Sequence, residues 1–180
     1  MITMHSIDVI VNNYFFLIRT SLMTDFMSFV SNLFEVSLHF ILIIFFVALL
    51  IYLLKGQHYT ILFLLSLSVC TVIVYFSKFF FDVPRPVYGL ILESTQSFPS
   101  FHAAISTVFF IMLMYIFDGH FKNQWRVIFN ILCITSIFLV ALSRLYLGVH
   151  WFSDVLGGII IGALISYLFI LIFRRSNMIE

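Results

Sequence analysis

Residues 36–54 read VSLHFILIIFFVALLIYLL and contain no Asp, Glu, Lys or Arg. A helix needs about 20 mostly apolar residues to cross a bilayer core of roughly 30 Å, and this stretch meets that need. Windows 59–77, 103–117, 127–142 and 155–173 are equally free of those four residue types. Two of the windows are short, but polar residues at their ends extend them to spanning length. The pattern therefore predicts an all-α, polytopic transmembrane bundle of five spanning helices, near 34–54, 59–80, 99–117, 125–146 and 151–173.

The remaining N-terminal stretch has a different character. Apolar residues at 22, 23, 26, 27, 29 and 30 follow helical spacing among Thr24, Asp25 and Ser28, which suits a helix lying in the membrane interface. A sixth spanning helix over 7–30 is the competing reading, and Asp8, Asn12, Asn13, Arg19 and Asp25 weigh against it. The expected organisation is one membrane domain over 1–180, with an interfacial segment at 1–32 and the transmembrane bundle at 33–175.

Composition agrees with the windows. Of 180 residues, 63% are hydrophobic and 9% charged, against about 25% charged in ordinary soluble domains. Too few polar groups are present to cover a globular surface, which excludes a water-soluble enzyme and a disordered segment. The formal net charge of +1 provides no electrostatic footprint for nucleic acid. Cys70 and Cys133 both lie inside apolar runs, where a reduced thiol behaves as a small hydrophobe. The first Lys or Arg is Arg19, so no cleavable signal peptide is expected. Nothing in the pattern fixes an oligomeric state.

Where the charges fall sets an orientation. With five crossings, Lys55, Lys122, Arg126, Arg174 and Arg175 share one side, and Arg19, Lys78, Arg85 and Arg144 share the other. Lys78, Arg85 and Arg144 have a separate reason to be where they are, given below. Discounting them leaves five cations against one, and the positive-inside rule then puts the C-terminus in the cytoplasm. The loop over 81–98 faces the other way.

Ionisable groups at membrane depth cost about 2.5–3.5 kcal/mol each on insertion scales, so each is a functional candidate. Three clusters meet on the extracytoplasmic face. Lys78 ends the second span and precedes Arg85 and Pro86, with Pro84 and Pro86 holding Arg85 in a stiff extended segment. Pro99, Ser100, Phe101 and His102 open the third span. Ser143 and Arg144 end the fourth, with His150 and Asp154 following. Taken singly, Lys78 and Arg144 read as interfacial anchors, His102 as a polar helix start, and His150 with Asp154 as a structural pair. Their joint arrival on one face reads as a site.

Each cluster has a chemical rationale. Three cations with few carboxylates near them call for an anion, and the planar arginine fork suits phosphate. His150 and Asp154 are four residues apart and would meet on one helix face if the fifth span began near 149. A carboxylate on one ring nitrogen fixes the tautomer and leaves the other free as a nucleophile. His102 stands in a first helical turn, where the helix dipole makes a protonated imidazole a readier proton donor. Ser100 and the neighbouring amides offer donors to phosphate oxygens. Asp82 and Glu93 read as loop residues flanking the site. No Asp-x-Asp, His-Glu-x-x-His or Cys-x-x-Cys occurs, so the expectation is histidine-based phosphoryl transfer with no metal and no other cofactor.

The pattern Lys-x6-Arg-Pro, Pro-Ser-x-His, Ser-Arg-x5-His-x3-Asp, running from Lys78 to Asp154, resembles the tripartite signature of the type 2 phosphatidic acid phosphatase (PAP2) family. The resemblance implies that His150 attacks phosphorus to form a phosphohistidine, with Asp154 orienting it. Lys78, Arg85, Ser100 and Arg144 would hold the phosphate oxygens. His102 would protonate the leaving group and then activate water. Ser143, Pro86 and Phe101 would support the site. Phe101 departs from the glycine usual at its position, which bears on a backbone contact to phosphate or on the shape of the entrance. The implied function is that of a lipid phosphatase at the extracytoplasmic face of the cell inner membrane, with undecaprenyl diphosphate as the leading substrate. Phosphatidylglycerol phosphate, phosphatidate, lipid A phosphates and a lipid phosphotransferase reaction are the alternatives. The expected partners are the bilayer and a membrane lipid phosphate.

Overall fold

A computed structural model describes residues 3–91, 93 and 95–176, and the regular structure among them is helical throughout. In chain order the elements are α1 (Met4–Leu17), α2 (Ser21–Asn32), α3 (Leu38–Lys55), α4 (Gln57–Phe81), α5 (Phe101–Ile116), α6 (Asn123–Tyr146) and α7 (Phe152–Ser176).

The apolar windows become helices as expected. α3, α4, α6 and α7 are each long and apolar enough to cross a membrane. Their outward faces carry Phe46, Leu53, Phe76, Phe79, Phe138 and Ile172, all exposed. In water such faces would be an aggregation hazard, and against lipid they are the expected surface. α5 is apolar but shorter, at 16 residues, or about 24 Å. It begins at Phe101 rather than near 99 because Ser100 takes an extended conformation (φ −67°, ψ 115°) as the N-cap. Similarly, α3 starts at Leu38 rather than near 34. Ser37 caps it by accepting from the Phe40 amide at 3.5 Å, while Phe34, just upstream, is buried against Phe40 and Phe109.

The short central helix is the hub. Ala103, Ala104, Ile105, Val108 and Met112 are essentially inaccessible, and α5 packs against α4, α6 and α7. Its closest approach is to α7, made possible by two glycines. A Cβ at Gly158 would lie 2.6 Å from the Ser100 carbonyl oxygen, and one at Gly162 would lie 2.6 Å from that of Ala104. This small-residue seam brings backbones together as membrane helices commonly do. The seam is functional in placement, because it sets the first turn of α5 against the first turns of α7.

Chain direction then decides where the polar residues go. α4 and α6 finish, and α5 and α7 begin, at one end of the bundle, so Lys78, Arg144, His102 and Asp154 converge there. Lys55, Lys122 and Arg174 belong to the other end.

The N-terminal segment departs from the reading of a sixth spanning helix. Residues 7–30 do not make one helix: the chain breaks at 18–20, where the Thr20 hydroxyl caps α2 by accepting from the Met23 amide at 3.4 Å. Neither 14 nor 12 residues suffices to span a bilayer. The two short helices pack on the site end of α6 and α7. Asp8, buried on α1, accepts from the Ser153 amide at 2.8 Å and the Ser153 hydroxyl at 2.9 Å. Arg19 donates to the carbonyls of Tyr146 (3.1 Å) and Tyr88 (2.9 Å). Ser31 accepts from the Arg144 guanidinium.

Candidate active site

The turn between α6 and α7 carries His150. Gly148 within it has φ +67°, a left-handed conformation that favours glycine, and a Cβ there would also press on the Tyr88 carbonyl oxygen at 3.1 Å and displace the Arg19 guanidinium. His150 itself precedes α7, which starts at Phe152. The expected helical i, i+4 pairing with Asp154 is therefore not how the two residues meet. Instead Asp154, in the first turn of α7, folds back so that Oδ2 accepts from the Trp151 amide at 2.7 Å. This satisfies an otherwise orphaned helix-start donor and leaves Oδ2 3.6 Å from His150 Nδ1.

Ser97 bridges that gap. Its hydroxyl donates to Asp154 Oδ2 and lies 3.4 Å from His150 Nδ1. On the far side of the ring, His150 Nε2 is 3.3 Å from the Arg85 guanidinium. An arginine only donates, so Nε2 is the acceptor and the ring proton belongs on Nδ1, toward Ser97 and Asp154. Burial, together with the positive fields of Arg144, Arg85 and Lys78, holds the imidazole well below the ordinary histidine range. At neutral pH His150 thus carries a lone pair on Nε2, which faces a cleft that Tyr75, Lys78, Arg85, Glu93 and His102 also line.

Arg85 is fixed by backbone. It donates to the carbonyls of Thr95 (2.7 Å), Val149 (2.7 Å) and Gln96 (3.3 Å), and the buried Pro86 follows it. Burial lowers its affinity for the proton, opposed by Glu93 and Asp154. Lys78, buried at the end of α4, donates to the Gln96 carbonyl. Arg144 is 2% exposed and reaches Ser31 and Glu93.

His102 lines the same cleft, and its two ring nitrogens are buried without a hydrogen-bond partner among the described residues. Phe101 stacks edge-on against it (6.0 Å, 89°) and packs on Tyr75 at 5.8 Å, forming the cleft's apolar wall. Ser100 is fully buried with its hydroxyl likewise unpartnered. Its amide, expected among the phosphate donors, is committed to the Asp154 carbonyl at 3.0 Å. Ser143 turns its hydroxyl into its own helix, onto the Val140 carbonyl at 2.7 Å, and acts within α6.

Two residues enter the site against the sequence reading. Glu93 is a member of the cation cluster rather than a flanking loop acid, with Oε2 3.3 Å from Arg85 and Oε1 paired with Arg144. The cations are therefore less short of carboxylates than their sequence neighbourhood implies. The only signal available for Glu93 was an acid between two cationic motifs, and Ser97 had none.

The residues match known proteins in the same region. A family model described as the PAP2 superfamily matches residues 59–178. Phosphatidylglycerophosphatase B of Bacillus subtilis (strain 168) is 36% identical over 87 residues, covering 47% of this chain and 43% of the relative. Undecaprenyl-diphosphatase of Sulfolobus acidocaldarius is 37% identical over 89 residues, covering 49% and 39% respectively. The alignments thus span less than half the length of these curated relatives. Among solved structures, the crystal structure of a transmembrane PAP2 type phosphatidylglycerolphosphate phosphatase from Bacillus subtilis superposes with TM-score 0.86. It is 26% identical, over 95% of this chain and 86% of that one. Aquifex aeolicus LpxE shares the fold, with TM-score 0.71 and 21% identity over 91% of this chain and 94% of that one.

Proposed function

The chain belongs to the PAP2 superfamily and is a multi-pass membrane protein, and on that premise we propose that it is a metal-independent lipid phosphate or diphosphate phosphatase working through a phosphohistidine. One observation carries the reading: His150 Nε2 is turned toward the cleft and Arg85, while Nδ1 is backed by Ser97 and Asp154.

In the proposed reaction Nε2 of His150 attacks the terminal phosphorus, forming a P–N bond as the P–O bond to the lipid breaks. His102 gives its proton to the departing oxygen. Water, deprotonated by His102, then attacks the phosphohistidine, which releases inorganic phosphate and restores His150. Lys78, Arg85 and Arg144 stabilise the charge on the equatorial oxygens, a role worth several kcal/mol per well-placed donor, at about 2.7–4 kcal/mol. Ser100 assists from the start of α5. Asp154, acting through the Ser97 hydroxyl, keeps the Nδ1 proton in place and stabilises the positive ring of the intermediate.

The cleft opens beside Tyr75 and Phe101 on the membrane-spanning helices, which lets a lipid keep its tail in the bilayer while its phosphate reaches the cations. The charge asymmetry of the two bundle ends supports a site at the extracytoplasmic face of the inner membrane, with the C-terminus cytoplasmic. α1 and α2 then lie in the interface. Undecaprenyl diphosphate is the leading substrate. The likeness, in sequence and in structure, to a Bacillus subtilis phosphatase named for phosphatidylglycerol phosphate favours that lipid as the second reading.

Phosphate release by the purified protein, measured over undecaprenyl diphosphate, phosphatidylglycerol phosphate, phosphatidate and lipid A phosphates with EDTA present, tests the proposal. The expected result is release from at least one lipid, insensitive to EDTA, inhibited by vanadate and abolished in His150→Ala. An acid-labile phosphoprotein trapped during turnover would mark the intermediate. Undiminished turnover by His150→Ala overturns the mechanism.

A further inference from the structure

Glu93 is held differently from the groups around it. Its carboxylate bonds to Arg85 and Arg144, and both of those contacts are with residues assigned above to phosphate. Arg85 does not depend on Glu93, since three backbone carbonyls fix its guanidinium. Arg144 is buried and also anchored to Ser31. The Glu93 side chain is the most accessible of the three, 23% exposed against 14% for Arg85 and 2% for Arg144. It lines the cleft beside His150 and His102. Each cation has a hydrogen-bond partner besides Glu93, whereas the Glu93 carboxylate is bonded to the two arginines alone among the described residues.

A carboxylate and a phosphate compete for the same guanidinium fork. Arg85 lies 3.3 Å from His150 Nε2 and 3.3 Å from Glu93 Oε2, so a phosphate within reach of that nitrogen meets the same guanidinium that Glu93 occupies. We infer that Glu93 is an internal ligand of the phosphate seat, displaced when phosphate binds and returning when it leaves. The inference rests on the phosphatase reading above. A competitor of this kind weakens substrate and product by the same factor, because each must bind the fraction of molecules in which the seat is open. Its benefit falls on product: inorganic phosphate released onto three cations, two of them buried, would otherwise leave slowly. Glu93 also keeps Arg144 paired between turnovers, when a lone buried charge is costly.

The test is binding of inorganic phosphate and vanadate to the purified full chain, comparing wild type, Glu93→Gln and Glu93→Asp. Glu93→Gln should tighten both ligands about tenfold and lower KM for a soluble phosphate monoester by a similar factor. It should also melt lower without ligand and gain more than wild type on phosphate addition. Glu93→Asp, which keeps the charge but reaches less far, should tighten binding by about threefold, and it serves if the glutamine variant fails to fold. Unchanged or weaker binding in the folded variant means that Glu93 stays in place beside the phosphate, and overturns the inference. Tight vanadate binding by wild type with no gain in the variants sinks this inference alone. A wild type that neither binds vanadate nor hydrolyses any lipid phosphate sinks the phosphatase reading and this inference with it.

Discussion

The carboxylate of Asp154 reaches the His150 ring through a serine. Oδ2 stands 3.6 Å from Nδ1, beyond hydrogen-bond distance, and the Ser97 hydroxyl is bonded to that same oxygen while lying 3.4 Å from the ring. Orientation of the proposed nucleophile is therefore shared among three elements: the turn after α6, the first turn of α7 and the loop before α5.

Ser97→Ala removes the donor that fixes Asp154 Oδ2 on the side facing the ring. Phosphate binding does not use this hydroxyl. We expect kcat to fall about tenfold, equivalent to ~1.4 kcal/mol, with KM for lipid phosphate little changed. Equal activity of variant and wild type would show that the Trp151 amide alone holds the carboxylate.

The pH dependence follows from the field on His150. Its folded-state affinity for protons is depressed by burial and by the three cations, so the neutral, nucleophilic ring persists to lower pH than in free imidazole. Activity should be lost as pH falls through a midpoint below about 6.5, the ordinary histidine value. Lys78→Gln deletes one of those positive fields and should move the acid limb of the residual kcat/KM upward. Substrate titration is common to both proteins, so the displacement between their profiles reports the enzyme group. A downward displacement would contradict the assignment.

Gly158→Ala tests the α5–α7 seam. The added methyl meets the Ser100 carbonyl oxygen at 2.6 Å and Ala103 Cβ at 3.1 Å, and backbone cannot step aside. Overpacking of this kind costs about 1–3 kcal/mol. Thermal unfolding in detergent should reveal the loss, and phosphate release should fall with it as Ser100 and His102 are pushed from the cleft. Gly157→Ala is the control, because its methyl meets the edge of the Phe98 ring, which can rotate, and a smaller effect is expected.

Asp8→Ala leaves the Ser153 amide and hydroxyl without their acceptor. Hydrogen bonds to a charged group contribute about 1.5–3 kcal/mol, so the variant should unfold at lower temperature and lose turnover. Asp8→Asn retains one acceptor oxygen and should fall between the two. Wild-type melting of the alanine variant would mean that α1 is dispensable to the start of α7.

The bundle was legible because lipid makes an unusual demand on sequence. Faces turned to hydrocarbon need no polar residue, so α3, α4, α6 and α7 appear as unbroken apolar windows. The same scarcity exposed Lys78, Arg144, His150 and Asp154, which stand out against runs such as Phe79–Phe80–Phe81. What stayed hidden lies in the stretch between Pro86 and Pro99, which has no periodicity to read. Glu93 and Ser97 acquire their place in the site through Arg144 and Asp154, 51 and 57 residues away. The His150–Asp154 pair was anticipated for the wrong local reason, since spacing of four implies a shared face only inside a helix, and Gly148 turns the chain before α7 begins. The break at 18–20 has a local sign in Thr20, a good N-cap just ahead of the apolar spacing over 22–30.

Asp8 and Ser153 are 145 residues apart, and Arg19 and Tyr146 are 127 apart. During synthesis α1 and α2 leave the ribosome before the helices that follow them, yet Asp8 lacks Ser153, and Arg19 has only the Tyr88 carbonyl, until α6 and α7 have been made. Any phosphate seat is therefore completed only by the arrival of α7, which brings Asp154 and closes the turn bearing His150. On the proposed mechanism, a nascent chain stalled before that point would hold its arginines without Asp154 behind His150 and would have no activity to misdirect at the lipids around it.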